Sequence, residues 1–111
     1  MRIRYRHLPG GRWGLWHPTT RTIFIRDNLT ARQHMYAALH ELGHAIYQHE
    51  GSSASQEAVA DSFAAHALIP IPRLQALMDH YRCHITVADR LSTFPHLVDL
   101  LTRTTHRRGE P

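Results

Sequence analysis

The chain has 111 residues, 42% of them hydrophobic, and a formal net charge of +4, which fits one domain with a modest core and leaves little for a second. No apolar run is long enough to span a bilayer, and the start MRIRYRHLPGG lacks the apolar stretch of a secretory signal. The single Cys83 cannot close an intramolecular disulfide, so a reducing cytoplasm is the expected compartment. Each of the 13 basic side chains is Arg, scattered along the sequence without a basic helical stripe, so neither a direct nucleic-acid contact nor a membrane contact is expected.

The first 26 residues read as strands. RIRYRHL alternates polar and apolar residues, the period of a half-buried strand, and TIFIR is rich in β-branched and aromatic side chains. Pro9-Gly10-Gly11 and His17-Pro18-Thr19 are turn signals between them. The expectation is a small antiparallel sheet whose Trp13, Trp16, Ile23 and Ile25 face helices.

A helix is predicted from Thr30, where Thr30 and Gln33 have the spacing of a capping box. It runs through ARQHMYAALHELGHAIYQH to a stop at Gly51. Ser53 or Ser55 can cap a second helix, QEAVADSFAAHALI, which ends before Pro70. PRLQALMDHY, VADRLS and PHLVDLLTR are three further helical segments, with Thr86 or Asp89 as a cap for the middle one, and the polar tail from about 104 is expected to be disordered.

The first helix carries H-E-x-x-H as His40, Glu41 and His44. Residues four apart share a helix face, so the two imidazoles can take adjacent corners of a zinc tetrahedron. Glu41 lies one residue round, too close to be a third ligand and well placed to touch a water. Gly43 in mid-helix costs about 1 kcal/mol against Ala, which suggests close approach by a neighbouring element.

A catalytic zinc needs a third protein ligand. The second helix offers Glu57 and Asp61, four apart on one face of an otherwise small and apolar segment. A helix this apolar is expected to be buried, and carboxylates buried there need a partner. The natural division gives Glu57 to the metal and Asp61 to the free ring N–H of a ligand histidine; the reverse division stays open. Tyr47 and Glu50 stand where the longer metzincin pattern has Gly and His, so that pattern is absent, and His49, off the face of a helix continuing to Gly51, reads as surface. Tyr36 lies one turn before His40 and can be an oxyanion helper or core, and His66 should face elsewhere.

TIFIRDNLTARQHMYAALHELGHAIYQHEG followed by QEAVADSFAAHALIPIP resembles the ImmA/IrrE metallopeptidases. That family shows a strand, an H-E-x-x-H helix and an E-x-x-x-(D/N)-x-F-A helix, matched here by Glu57, Asp61, Phe63 and Ala64. The resemblance implies an α+β, minimal zincin-like domain: a small antiparallel sheet packed on a helical bundle, residues 1–111 forming one domain. It implies Zn2+ held by His40, His44 and Glu57, with Glu41 as the catalytic glutamate. It also implies a cytoplasmic endopeptidase that cleaves or inactivates a helix-turn-helix repressor of a phage or mobile element. A zinc-binding anti-repressor that acts without cutting is the alternative. A basic nucleic-acid binder with structural zinc is a third reading, disfavoured by the scattered arginines and by the scarcity of Cys.

Overall fold

The computed structural model describes residues 1–109, with side chains through 103. Its chain divides into two compact units, Met1–Ala64 and Ala65–Pro111.

The first unit contains strands β1 (Arg2–Arg6), β2 (Gly14–His17) and β3 (Thr22–Arg26), then helix α1 (Ala31–Ile46) and most of α2 (Ala54–Leu68). The α+β class is as expected, but the sheet is mixed rather than antiparallel. Its order is β1-β3-β2, with β2 antiparallel to β3 and β1 parallel to it. Period-two alternation identifies strands but not their neighbours. The turn at Pro9–Gly11 and the residues around it carry the chain past one strand position, so β3 slots between β1 and β2. Gly10 and Gly11 both have φ +71 there, a left-handed conformation that glycine adopts without a side-chain clash.

Strand β3 alternates as its sequence suggests. Ile23 and Ile25 are buried, and with Trp16 and Ala45 they form a core against which Leu29, Ala38 and Leu42 pack. Trp13 also turns toward α1, its ring edge-on to Tyr36 with centroids 6.0 Å apart.

Helix α1 starts at the expected capping box. The Gln33 amide donates to the Thr30 hydroxyl at 3.1 Å, and the Thr30 amide to the Gln33 side chain at 3.0 Å. Its end differs: the helix stops at Ile46, not Gly51. Tyr47 is the C-cap, Gln48 follows with φ 56, and the Gln48 and His49 amides donate back to the Ala45 and His44 carbonyls at 3.1 and 2.9 Å. This is a Schellman closure with Gln in the left-handed place that glycine usually takes.

A second capping box opens α2. The Ser53 amide donates to the Gln56 side chain at 3.1 Å and the Gln56 amide to the Ser53 hydroxyl at 3.3 Å, so Ser53 rather than Ser55 is the cap. Only one face of α2 is buried: Ala60, Ala64 and Ala65 are enclosed, whereas Ala58 and Val59 are exposed. Small side chains suit both settings, so composition overstates the burial.

The second unit holds α3 (Ile71–His80), α4 (His84–Arg90) and α5 (Pro95–Gly109) around Leu74, Val87, Leu97, Val98 and Leu101. Cys83, not Thr86 or Asp89, precedes α4 as its cap residue. The expected disordered tail from about 104 falls on side chains outside the described residues. Among the described residues no helix is long and apolar enough to cross a membrane.

The approach of α2 to α1 positions the site. A Cβ added at Gly43 would lie 3.1 Å from the Ala60 Cα and 3.2 Å from the Phe63 Cβ. Both neighbours belong to a helix, so neither can move aside alone. Gly43→Val should therefore destabilise the protein by about 1–3 kcal/mol, despite valine's better helix propensity. Denaturant unfolding reads this directly; a variant as stable as the parent would contradict the close helix contact.

Candidate metal centre

Helix α1 presents His40 and His44 one turn apart, their ring centroids 4.9 Å apart and nearly perpendicular. Helix α2 brings Glu57 to both. Glu57 Oε2 lies 2.6 Å from His40 Nε2 and 3.3 Å from His44 Nε2. One ligand atom from each of these three residues lies within 4.8 Å of the others. His40 and His44 are 9% and 4% exposed, and the Glu57 side chain is 42% exposed, so the cluster is enclosed on the histidine side and open at the carboxylate.

Asp61 occupies the other nitrogen of His40. Its Oδ1 accepts from His40 Nδ1 at 2.8 Å and from the Tyr36 hydroxyl at 2.5 Å. Tyr36 thus stands behind His40, and its hydroxyl is held well above the ordinary phenol range by burial and by the bond to Asp61. That hydroxyl is committed to Asp61 rather than presented as an oxyanion donor. His66 is exposed on α2 and is not part of the cluster.

The His40 contacts carry a charge requirement. With Nδ1–H given to Asp61, a neutral ring has a lone pair on Nε2, and this would face the Glu57 oxygen at 2.6 Å. Two lone pairs cannot face at that distance without a positive charge to hold them. A proton is one solution: burial lowers the His40 pKa, but Asp61, Glu41 and Glu57 together outweigh it and raise the value. A divalent cation shared by the two Nε2 atoms and Oε2 is the other. Zinc bonds of about 2.0–2.1 Å at tetrahedral angles set ligand separations of roughly 3.3 Å; the His44–Glu57 contact is 3.3 Å, and the His40–Glu57 contact, a hydrogen-bond distance of 2.6 Å, would open on ligation. Two imidazoles and a carboxylate are a zinc donor set, so the residues fit the ion.

Glu41 is placed apart from this cluster. It is 8% exposed and accepts a hydrogen bond from the Trp16 backbone on β2. Gly14 makes room for it: a Cβ there would lie 2.8 Å from the Glu41 Cγ. Burial raises the Glu41 pKa from 4.5 to about 7, with His40 opposing and Glu57 adding to the rise. Two clefts flank Glu41. One, of about 180 Å³, is lined by Trp16, His44, His49 and Glu57 among others; the second, of about 270 Å³, by Trp13, Tyr36 and His40. Arg12 borders both.

His49 departs most from its sequence reading. Because α1 ends at Ile46 and Gln48 reverses the chain, the His49 ring returns to His44, with Nδ1 to Nδ1 at 2.8 Å. No sequence signal marks Gln48 for a left-handed turn. The supporting roles of Gly14 and the Trp16 backbone were equally hidden, because they depend on how β2 lies beside α1.

The sheet, the H-E-x-x-H helix and the acidic helix after it define a small zincin-like domain. The family model of the IrrE N-terminal-like domain, peptidase family M78, matches residues 2–97, and the chain belongs to that family. It is a family of metal-dependent peptidases. No curated protein matches the chain.

The Glu41 environment can be read by titration. In the chelated protein its carboxyl should titrate with a midpoint near 7 in carbon-detected NMR. A raised carboxyl pKa favours the folded state while the group is protonated. Its contribution is complete below about 4.5 and is lost as pH rises through about 7. Added zinc should lower the midpoint, since a nearby cation favours the carboxylate. A midpoint between 4 and 5 in the chelated protein would show that Glu41 is not enclosed as described.

Proposed function

We propose that this protein is a zinc-dependent endopeptidase that cleaves a helix-turn-helix repressor of a phage or mobile element in the cytoplasm. The observation that carries the peptidase reading is the convergence of His40 Nε2, His44 Nε2 and Glu57 Oε2 beside Glu41. The target class rests on the ImmA/IrrE resemblance, and membership of the M78 family supports the reaction class.

In this reading His40, His44 and Glu57 hold the zinc, and Asp61 fixes the His40 ring through Nδ1. When bound, zinc supplies Lewis acidity, polarising the scissile carbonyl and bringing the pKa of water toward about 7. Glu41 takes a proton from the attacking water and returns it to the departing amine. Burial holds the Glu41 pKa up and a bound cation would draw it down, and these opposing pulls keep the carboxylate available as a base near neutral pH. Strand β2 is an edge strand, and the Trp16 amide leaves that edge toward Glu41. An extended substrate chain can pair there and lie along the flanking clefts.

Glu41→Gln separates cutting from mere binding. The variant should keep its zinc and fold, since Glu41 is outside the ligand cluster, and lose cleavage by about 100-fold or more. Release of the repressor from DNA by this variant without fragments would replace the peptidase with the anti-repressor reading.

Glu57→Ala and Asp61→Ala divide the two carboxylates. The first should leave the protein largely zinc-free. The second should weaken zinc affinity by roughly 10- to 100-fold without abolishing binding. Metal titration of both variants decides the matter, and the opposite ranking would exchange their roles.

A further inference from the structure

His49 is fixed at its amide, its carbonyl and its ring. The amide donates to the His44 carbonyl at 2.9 Å, and the carbonyl accepts from the Trp16 indole N–H at 3.1 Å. The Tyr47 ring stacks on the His49 ring at a centroid distance of 6.0 Å, and His49 Nδ1 meets His44 Nδ1 at 2.8 Å. Such an anchored residue is more than a solvated histidine after a helix.

The ring contact has a definite polarity. Two facing Nδ1 atoms bond only if one carries a hydrogen and the other a lone pair. The opposite nitrogen of His44, Nε2, faces Glu57 Oε2 and is the one available to a metal. Ligation needs the lone pair on Nε2, which puts the His44 hydrogen on Nδ1. His44 is then the donor and His49 the acceptor, with the His49 hydrogen on its own Nε2. A free imidazole prefers the other tautomer, with hydrogen on Nε2, so something must hold His44 in the ligating form.

We propose that His49 is a positioning residue of the metal centre: it accepts the Nδ1 hydrogen of His44 and so sets that ring's tautomer and orientation for ligation through Nε2. The proposal rests on the zinc reading above. The two ligand rings are then held by different means. His40 gives its Nδ1 hydrogen to a carboxylate from α2, and His44 gives its own to an imidazole five residues along the same chain. The Schellman closure at Gln48 makes the second arrangement possible, because a continued helix would carry residue 49 away from the face of residue 44.

Two substitutions test this. His49→Asn keeps an acceptor oxygen near the place of Nδ1, and His49→Leu keeps bulk without an acceptor. Zinc affinity is measured by competition with a chromophoric chelator. The His44 Nδ1 hydrogen is read in the zinc-loaded proteins by its proton shift and its protection from solvent exchange, with circular dichroism confirming the helices. His49→Leu should weaken zinc by roughly 10- to 100-fold and leave the Nδ1 hydrogen unprotected, while His49→Asn should stay near the parent in both. Parent-like zinc affinity and an equally protected Nδ1 hydrogen in His49→Leu would overturn the proposal. Equal damage in both variants would also overturn it, showing a packing role instead. A parent that took up no zinc would instead overturn the zinc reading on which the proposal rests.

Discussion

Everything at this site depends on how closely α2 can lie against α1. Gly43 sits between the two histidines' turns, and the Ala60 backbone occupies the space that a side chain there would fill. With small residues on both sides, the helices approach until a carboxylate on one reaches imidazoles on the other. A bulkier residue at position 43 would press on the Ala60 backbone and draw Glu57 away from the two histidines. The glycine's cost in helix propensity is offset by that proximity.

The same proximity concentrates charge. Glu41, Glu57 and Asp61 surround two rings that are largely removed from water. Each group responds in the direction that burial and its neighbours dictate. Glu41 is pushed up, Tyr36 is pushed up further, His40 is raised because its carboxylates outweigh burial, and His44, with less to oppose burial, is lowered. Two imidazoles with opposite shifts, one turn apart, show that their surroundings differ even though H-E-x-x-H treats them alike. His40 has a carboxylate at each ring nitrogen, and His44 has one carboxylate and one imidazole.

Much of this was legible in the sequence because it is local. The Thr30–Gln33 box, the four-residue spacing of the histidines, the matching spacing of Glu57 and Asp61, and the meaning of Gly43 all follow from helix geometry alone. Strand order was not legible, since alternation in RIRYRHL and TIFIR says which residues share a face and nothing about which strand lies beside which. The end of α1 departs from its sequence signals for a related reason. Gly51 is the residue that normally marks a helix stop, and Gln48 carries no such mark, yet the left-handed turn falls on Gln48. That displacement alone turned His49 from a neighbour of His44 into an apparent surface residue.

The difference between Glu57 and Asp61 also becomes intelligible once the helices are placed. Both carboxylates are on one face of α2, and residue type separates them only by one methylene. Their contacts separate them more sharply. A single Glu57 oxygen lies near the Nε2 atoms of both histidines, whereas Asp61 meets only the Nδ1 of His40 and shares that oxygen with the Tyr36 hydroxyl. Asp61 Oδ1 is engaged behind His40, on its Nδ1 side, whereas Glu57 Oε2 stands beside the Nε2 atoms of both rings, where a shared cation would satisfy all three. The half-exposed Glu57 also faces the clefts on either side, and the less exposed Asp61 does not line them. A metal held between His40, His44 and Glu57 would therefore be reached from those clefts, past Glu41, an access that the proposed peptidase reaction requires and a staple between two helices would not.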